Sequence, residues 1–229
     1  MPAKFEASTL FDFLGRVDRE LAAPCIIFLI GGSAVSIIDP SHSTSDLDLL
    51  SPGSKEFDAA VARLCARGEP VLPVQVVGIA EAPEGTEGRA QKVALEGATQ
   101  LTVLVPERHD LAIMKLTRGY EHDLQALEDI HRLQPFDVET LVARYQATEV
   151  VGPRRRFALA LLDLIARLLA TTKQTSIALS STSLLGSPER AGDARPLPWK
   201  LRSVKNSSGF FFEPGATRWS TAGQLLDPQ

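Results

Sequence analysis

Cys25-Ile-Ile-Phe-Leu-Ile30, then Gly31-Gly32-Ser33, a gap of twelve residues, and Asp46-Leu47-Asp48-Leu49-Leu50 are the stretches that decide how this chain folds. The first is a short run rich in β-branched and aromatic residues and ended by glycines, the pattern of a strand buried on both faces. Gly31-Gly32 breaks it, and a helix from about Ser33 to Ile38 is expected to follow. Asp39-Pro-Ser-His-Ser-Thr-Ser45 is a polar loop of turn formers, after which Asp46 to Leu50 alternates polar and apolar positions as a half-buried strand does. Strand residues two apart face the same way. Asp46 and Asp48 therefore aim both carboxylates at one point, while Leu47 and Leu49 turn to the core.

Paired carboxylates are hard oxygen ligands, suited to Mg²⁺ (or Mn²⁺), whose remaining positions are filled by water and substrate phosphates. Gly31 and Gly32 let backbone amides approach an anion with no Cβ in the way, and the helix behind them offers its positive N-terminus to phosphate. Ser33 adds a hydroxyl donor. Phosphoryl or nucleotidyl transfer requires little more of a protein than such positioning and charge neutralisation. A lone Gly-Gly-Ser is a turn, and a lone Asp-Leu-Asp is a solvated edge or a cap; their combination at strand-turn-helix-loop-strand spacing carries the chemistry.

Outward from this segment, Leu10, Phe11, Phe13, Leu14, Val17 and Leu21 recur at three and four residues, predicting an amphipathic helix over 7–22 capped by Ser8 or Thr9. Phe57, Ala60, Val61, Leu64 and Cys65 predict another helix, ending at Gly68. Val71 to Ile79 is expected to be a third strand, at an edge or bulged because of Pro73. Lys92 to Leu95 and Leu101 to Val105 are expected to form a hairpin around Glu96-Gly97. After Pro106 the period becomes helical: two helices parted near Gly119, a third capped by Asp137, and a fourth opened by Gly152-Pro153 and running to about Ala170. The expected fold is α/β (α+β), a small mixed sheet with flanking helices. Residues 1–106 form its core, 107–170 a helical C-terminal segment of the same domain, and 171–229 a flexible tail. Ser, Thr, Gly and Pro dominate that tail, and Trp199, Phe210, Phe211, Phe212 and Trp219 suggest that it docks on the domain or on a partner.

Glycine-glycine after a strand, a gap, then aspartate-hydrophobic-aspartate resembles the signature of the DNA polymerase beta-type nucleotidyltransferase superfamily. Within it, Lys115-Leu-Thr-Arg118, His122-Asp123-Leu and Asp129-Ile resemble the bacterial AbiEii and MenT-like toxin group. The resemblance covers roughly residues 20 to 150. It implies that Asp46 and Asp48 bind the catalytic metal and that Gly31, Gly32 and Ser33 contact the triphosphate. It further implies that Lys115, with Arg118 beside it, meets phosphate charge, and that Ser43, Thr44 and Ser45 line the nucleotide pocket. Many members carry a third acid on the following strand. Here Pro73-Val-Gln-Val-Val-Gly-Ile79 has none and Glu81 lies beyond its end, while the AbiEii-like resemblance suggests Asp123, on a helix, as a substitute.

The implied activity moves a nucleoside monophosphate from an NTP to an acceptor hydroxyl of tRNA, other RNA or a protein. The implied setting is a toxin–antitoxin or phage-defence pair with a cognate antitoxin protein. Two alternatives use the same residues: an inactive nucleotide-binding module or antitoxin, favoured by the missing acid, and an antibiotic nucleotidyltransferase. Lys115, Arg118 and His122 share one helical stripe, for which a solvated face is the bland alternative. His122 reads as structural, and no second histidine at ligand spacing suggests zinc. Arg154-Arg-Arg156 lies in a first helical turn, where the macrodipole disfavours cations, and invites an anionic partner such as an RNA backbone as readily as it forms a solvated patch.

With 229 residues, 44% hydrophobic and 23% charged, the chain suffices for one buried core, and its net charge of −4 excludes a surface coated in positive potential. Cys25 and Cys65 form no metal-type pair and read as reduced thiols. Leu21 to Ile38 lacks charge, but Pro24, Gly31-Gly32, Ser33 and Ser36 interrupt it, so no membrane span is expected. Glu6, Asp12 and Asp18 argue against a signal peptide, which makes the cytoplasm the expected location.

Overall fold

Residues 4–50, 54–77 and 81–184 are described by the computed structural model, with side chains through 171. Helix α1 (Ala7–Glu20) buries Leu10, Phe13, Leu14 and Val17, the apolar face its spacing foretold. Its N-cap is Glu6, which makes no side-chain cap bond, so the cap lies two residues before Ser8 and three before Thr9, the expected ones. The reason lies outside the helix: Phe5 pairs through its backbone with Thr44, fixing where the chain enters.

Strand β1 (Cys25–Phe28) leads into α2 (Gly31–Ile38), β2 (Leu47–Leu50) and α3 (Lys55–Ala66), whose N-cap Ser54 accepts from the Phe57 amide. Strand β3 (Val74–Val77) follows, then a short helical turn, α4 (Thr86–Arg89), and the antiparallel strands β4 (Gln91–Val93) and β5 (Leu101–Val105). β1 runs parallel to β5, and β2 runs parallel to β3. The two pieces join where Leu29 bridges Leu49 and the Ile30 amide donates to the Asp48 carbonyl at 3.0 Å. The spatial order is β4-β5-β1-β2-β3, a small mixed sheet of the kind expected.

Two expectations about the strands are corrected. β1 is not buried throughout. Cys25 and Ile27 face α1 and α3, but Ile26 is 46% exposed, because the small cluster on the other face, Phe28, Ile30 and Met114, does not reach it. β3 begins at Val74 rather than Val71, since Pro73 has no amide to donate and only its carbonyl joins the ladder, accepting from Leu47. Its expected end, Gly78-Ile79, lies outside the described residues, as does Pro52-Gly53.

Asp18 ties α1 to the sheet. Its buried carboxylate accepts the backbone amides of Thr99, Gln100 and Leu101, the last at 2.6 Å. Burial alone would raise its pKa, but those amides outweigh burial and hold it below the ordinary carboxylate value. A depressed folded pKa contributes stability above the unfolded value that is lost as pH falls through the folded one. Asp18→Ala is expected to destabilise the fold by about 2–3 kcal/mol, because three amides lose their acceptor, and to flatten the acid side of the stability–pH curve. Urea titrations at several pH values measure both; a wild-type-like curve contradicts the assignment.

The late helices are α5 (Arg108–Arg118), α6 (Glu121–Leu133), α7 (Val138–Gln146) and α8 (Arg154–Leu184). Gly119, at φ +62°, stops α5 in the left-handed conformation that glycine tolerates. Asp137 caps α7 as expected, accepting from the Thr140 amide at 2.7 Å. α8 buries Phe157, Leu161, Leu164 and Leu168 against α5 and α6. It does not stop near Ala170: the helix continues to Leu184, and the Thr171 hydroxyl donates to the Arg167 carbonyl one turn back, so serines and threonines that look like tail residues sit in a helix. Trp199, Phe210, Phe211, Phe212 and Trp219 lie outside the described residues. Among the described residues no helix is long and apolar enough to cross a membrane.

Candidate nucleotide site

The turn from β1 into α2 is built around Asp48. Gly31 has φ +62°, and a Cβ there would fall 2.0 Å from Asp48 Oδ2; a Cβ on Gly32 would lie 2.8 Å from Thr44 Oγ1. The Gly32 amide lies near enough to the Asp48 carboxylate to lower its pKa. The anion that the glycines admit in this structure is thus a side chain of the neighbouring strand. Ser33 is fully buried; its hydroxyl donates to the Ile30 carbonyl at 2.8 Å and accepts from the Asp48 amide at 3.3 Å. It clasps α2 to β2 and does not present its hydroxyl to solvent.

Asp46 lies just before β2 and Asp48 inside it, both half-buried, while Leu47 and Leu49 are 0% and 1% exposed. The Thr44 hydroxyl donates to the Asp46 carbonyl, and the Ser45 hydroxyl lies 3.3 Å from Asp46 Oδ1. Burial raises the pKa of Asp48, and the Asp46 carboxylate raises it further; the Gly32 amide and the positive fields of Arg118 and Lys115 oppose this without cancelling it.

The later motif supplies that positive field. Lys115, in the last turn of α5, is 4% exposed, and its Nζ donates to Asp123 Oδ1 at 2.7 Å. Arg118 donates to the same oxygen at 2.9 Å, and His122 Nε2 stands 3.8 Å from it. Cations close α5 and Asp123 opens α6, each at the helix end whose partial charge favours it. Burial lowers the pKa of Lys115, against the pull of Asp123 and Asp48. Asp123 is wholly buried, and its Oδ2 accepts no hydrogen bond.

His42, unremarked in the sequence, belongs to this neighbourhood. It is partly buried, and its pKa is lowered by burial and then by the charge of Lys115. Its only local signal is its place in the loop before the aspartates. Thr44 likewise proves to be a buried clamp rather than a free pocket hydroxyl.

The position where a third acid is expected is occupied by Gln75, which pairs in register with Asp48 and is exposed. Glu81 points elsewhere, accepting from the Val151 amide. Among the described residues no three His, Cys, Asp or Glu gather as a metal cluster. The two carboxylates remain a donor set for a hard cation that takes its other ligands from phosphates and water, and the unfavourable charge on Asp48 is what such a cation relieves.

Gly31→Ala is expected to push the Asp48 carboxylate off its place, since both the positive φ and the 2.0 Å approach forbid the methyl group. A loss of about 2 kcal/mol or more in stability is expected. Gly32→Ala, which meets only a side-chain hydroxyl, should cost less. Thermal melting of the two variants checks the order.

A mixed sheet with flanking helices, a glycine turn folded onto a strand carboxylate and a lysine-bearing helix opposite place the chain in the nucleotidyltransferase class. It belongs to the family described as nucleotidyltransferases of unknown function (DUF6036), whose model matches residues 8–161. No curated protein matches. Among solved structures, an antigenic nucleotidyltransferase-like protein from Paracoccidioides brasiliensis is similar at 12% identity over 78% of this chain and 95% of that one, with a TM-score of 0.38. At that score the likeness adds nothing to fold or function.

Proposed function

We propose that the protein transfers a nucleoside monophosphate from an NTP to an acceptor hydroxyl. The observation that carries this reading is the half-buried Asp46–Asp48 pair under the positive charge of Lys115 and Arg118, with the Asp48 pKa raised by burial and by Asp46. Asp46 and Asp48 would hold Mg²⁺ or Mn²⁺, which supplies neutralisation of the triphosphate charge. Lys115 and Arg118 bring further positive charge to the phosphates, and Asp123 fixes the Lys115 ammonium as its buried partner. The acceptor oxygen forms a new ester bond to the α-phosphorus, pyrophosphate leaves with the electrons of the broken bond, and the acceptor proton is released.

The toxin setting, with tRNA or a protein as acceptor and a cognate antitoxin as partner, is part of the proposal and is supported only by the Lys115–Arg118 and His122–Asp123 motif. A nucleotide-binding module without transfer is the second reading, favoured by Gln75 beside Asp48 where an acid would orient the attacking hydroxyl. Incubating the purified protein with each labelled NTP, Mg²⁺ or Mn²⁺ and total bacterial RNA and protein separates them. Label appearing on a macromolecule only with the cation supports transfer. NTP binding with no labelled product under any of these conditions supports the module.

A further inference from the structure

We propose that the exposed junction of α5, α6 and α8 docks a single-stranded polynucleotide and so names the acceptor of the transfer; this rests on the transferase reading. Tyr120 is 53% exposed, and its ring stacks on that of His122, centroids 5.5 Å apart and planes within 20°. The His122 side chain is 75% exposed. Two flat rings stacked in the open contribute little to the core, and they offer the kind of face on which an unpaired base stacks.

Arginines of α5 and α8 meet at the same junction. Arg118 is about half exposed, and its positive charge acts on both Asp48 and Lys115. Arg156, exposed in the first turn of α8, donates to the Arg118 carbonyl at 3.0 Å, holding that turn against the α5–α6 junction. Arg155 beside it is exposed, and Arg154 lies over the Tyr145 ring. Three cations in a helical first turn oppose the helix dipole, so their place is not explained by helix stability, whereas a phosphate backbone would be drawn to them.

The nearby acids do not cancel this patch. Glu121 is held by Arg167, and Asp123 by Lys115 and Arg118. On a chain of net charge −4 the basic surface is local, and Arg118 at its edge acts electrostatically on Asp48. An acidic peptide would satisfy the arginines but leave the stacked rings unused, and a duplex keeps its bases stacked inside, away from them. Rings and cations together select an unpaired strand whose terminal or internal hydroxyl reaches Asp46 and Asp48.

The test uses the full chain, a fluorescein-labelled single-stranded RNA and a blunt RNA duplex of the same sequence, read by anisotropy, with Mn²⁺–NTP binding measured calorimetrically in parallel. The single strand is expected to bind at least about tenfold tighter than the duplex. Tyr120→Ala and His122→Ala should each weaken it roughly tenfold, and Arg156→Ala should reduce the salt dependence, all without change in NTP affinity. Failure of the single strand to bind, equal binding of the duplex, or wild-type binding by both ring variants overturns the proposal. So does transfer of label to a protein that Tyr120→Ala reduces while RNA binding is absent, which would make the surface a protein-docking site. If the single strand behaves as expected but no NTP binds, the transferase reading fails and the polynucleotide surface stands.

Discussion

Asp48→Asn is expected to lower nucleotidyl transfer on the order of a thousandfold or more while leaving the metal-free fold at least as stable as wild type. The kinetic loss follows from removing one of two carboxylates proposed to hold the cation that neutralises the triphosphate. The stability result follows from the sign of the Asp48 shift. Its folded pKa is raised, by burial first and by Asp46 second. An acid with a raised folded pKa binds its proton more tightly in the fold than in the unfolded chain. Stability contributed by the protonated form is therefore lost as pH climbs from the ordinary carboxylate value through the raised one. Asparagine removes that loss. Melting curves with a chelator across mildly acid to neutral pH should show wild type losing more stability over this window than the variant. Added Mn²⁺ should raise the wild-type melting temperature at neutral pH and leave the variant unmoved. A variant that melts far below wild type without metal would make the carboxylate structural.

Lys115→Met is expected to reduce transfer by a hundredfold or more and, unlike Asp48→Asn, to destabilise the protein. Met keeps the length and the apolar stem, so packing changes little. What changes is Asp123, wholly buried, which loses its 2.7 Å partner and keeps the half-exposed Arg118 as hydrogen-bond donor, with exposed His122 farther off. Breaking a buried pair from one side costs about 3–5 kcal/mol. The double variant Lys115→Met/Asp123→Leu removes both buried charges and should recover most of the stability but none of the transfer. Single-turnover label transfer beside urea unfolding checks this. Recovery of transfer in the double variant would show that Lys115 acts only on the fold. Equal losses in NTP affinity and in transfer would place it in ground-state binding rather than at the transition state.

Local periodicity made much of this legible in the chain alone. Leu47-Asp48-Leu49 can be read without a structure because a strand repeats every two residues, so the two leucines had to go inward and Asp48 outward, whereas Asp46, expected in the same strand, lies in the bend just before it. The helices of the second half followed from three- and four-residue spacing, and Gly119 and Asp137 marked ends that the backbone uses. Family membership over residues 8–161 agrees with what those motifs implied at the coarse level of a nucleotidyltransferase.

Only the tertiary structure decided which groups face one another. Gly31 looks like a place for phosphate, but it is the space Asp48 occupies; Ser33 looks like a donor to a ligand, but its hydroxyl is closed between α2 and β2. Lys115 reads as a cation for phosphate, with a solvated stripe as the bland alternative, and in the fold it is buried on an aspartate eight positions away. Gln75 acquires meaning only from its register with Asp48, and α8 passes Ala170 although the composition there resembles a tail. Spacing along the chain determines which way a side chain points from its own element. What stands opposite it, and whether water reaches it, depends on how distant elements pack.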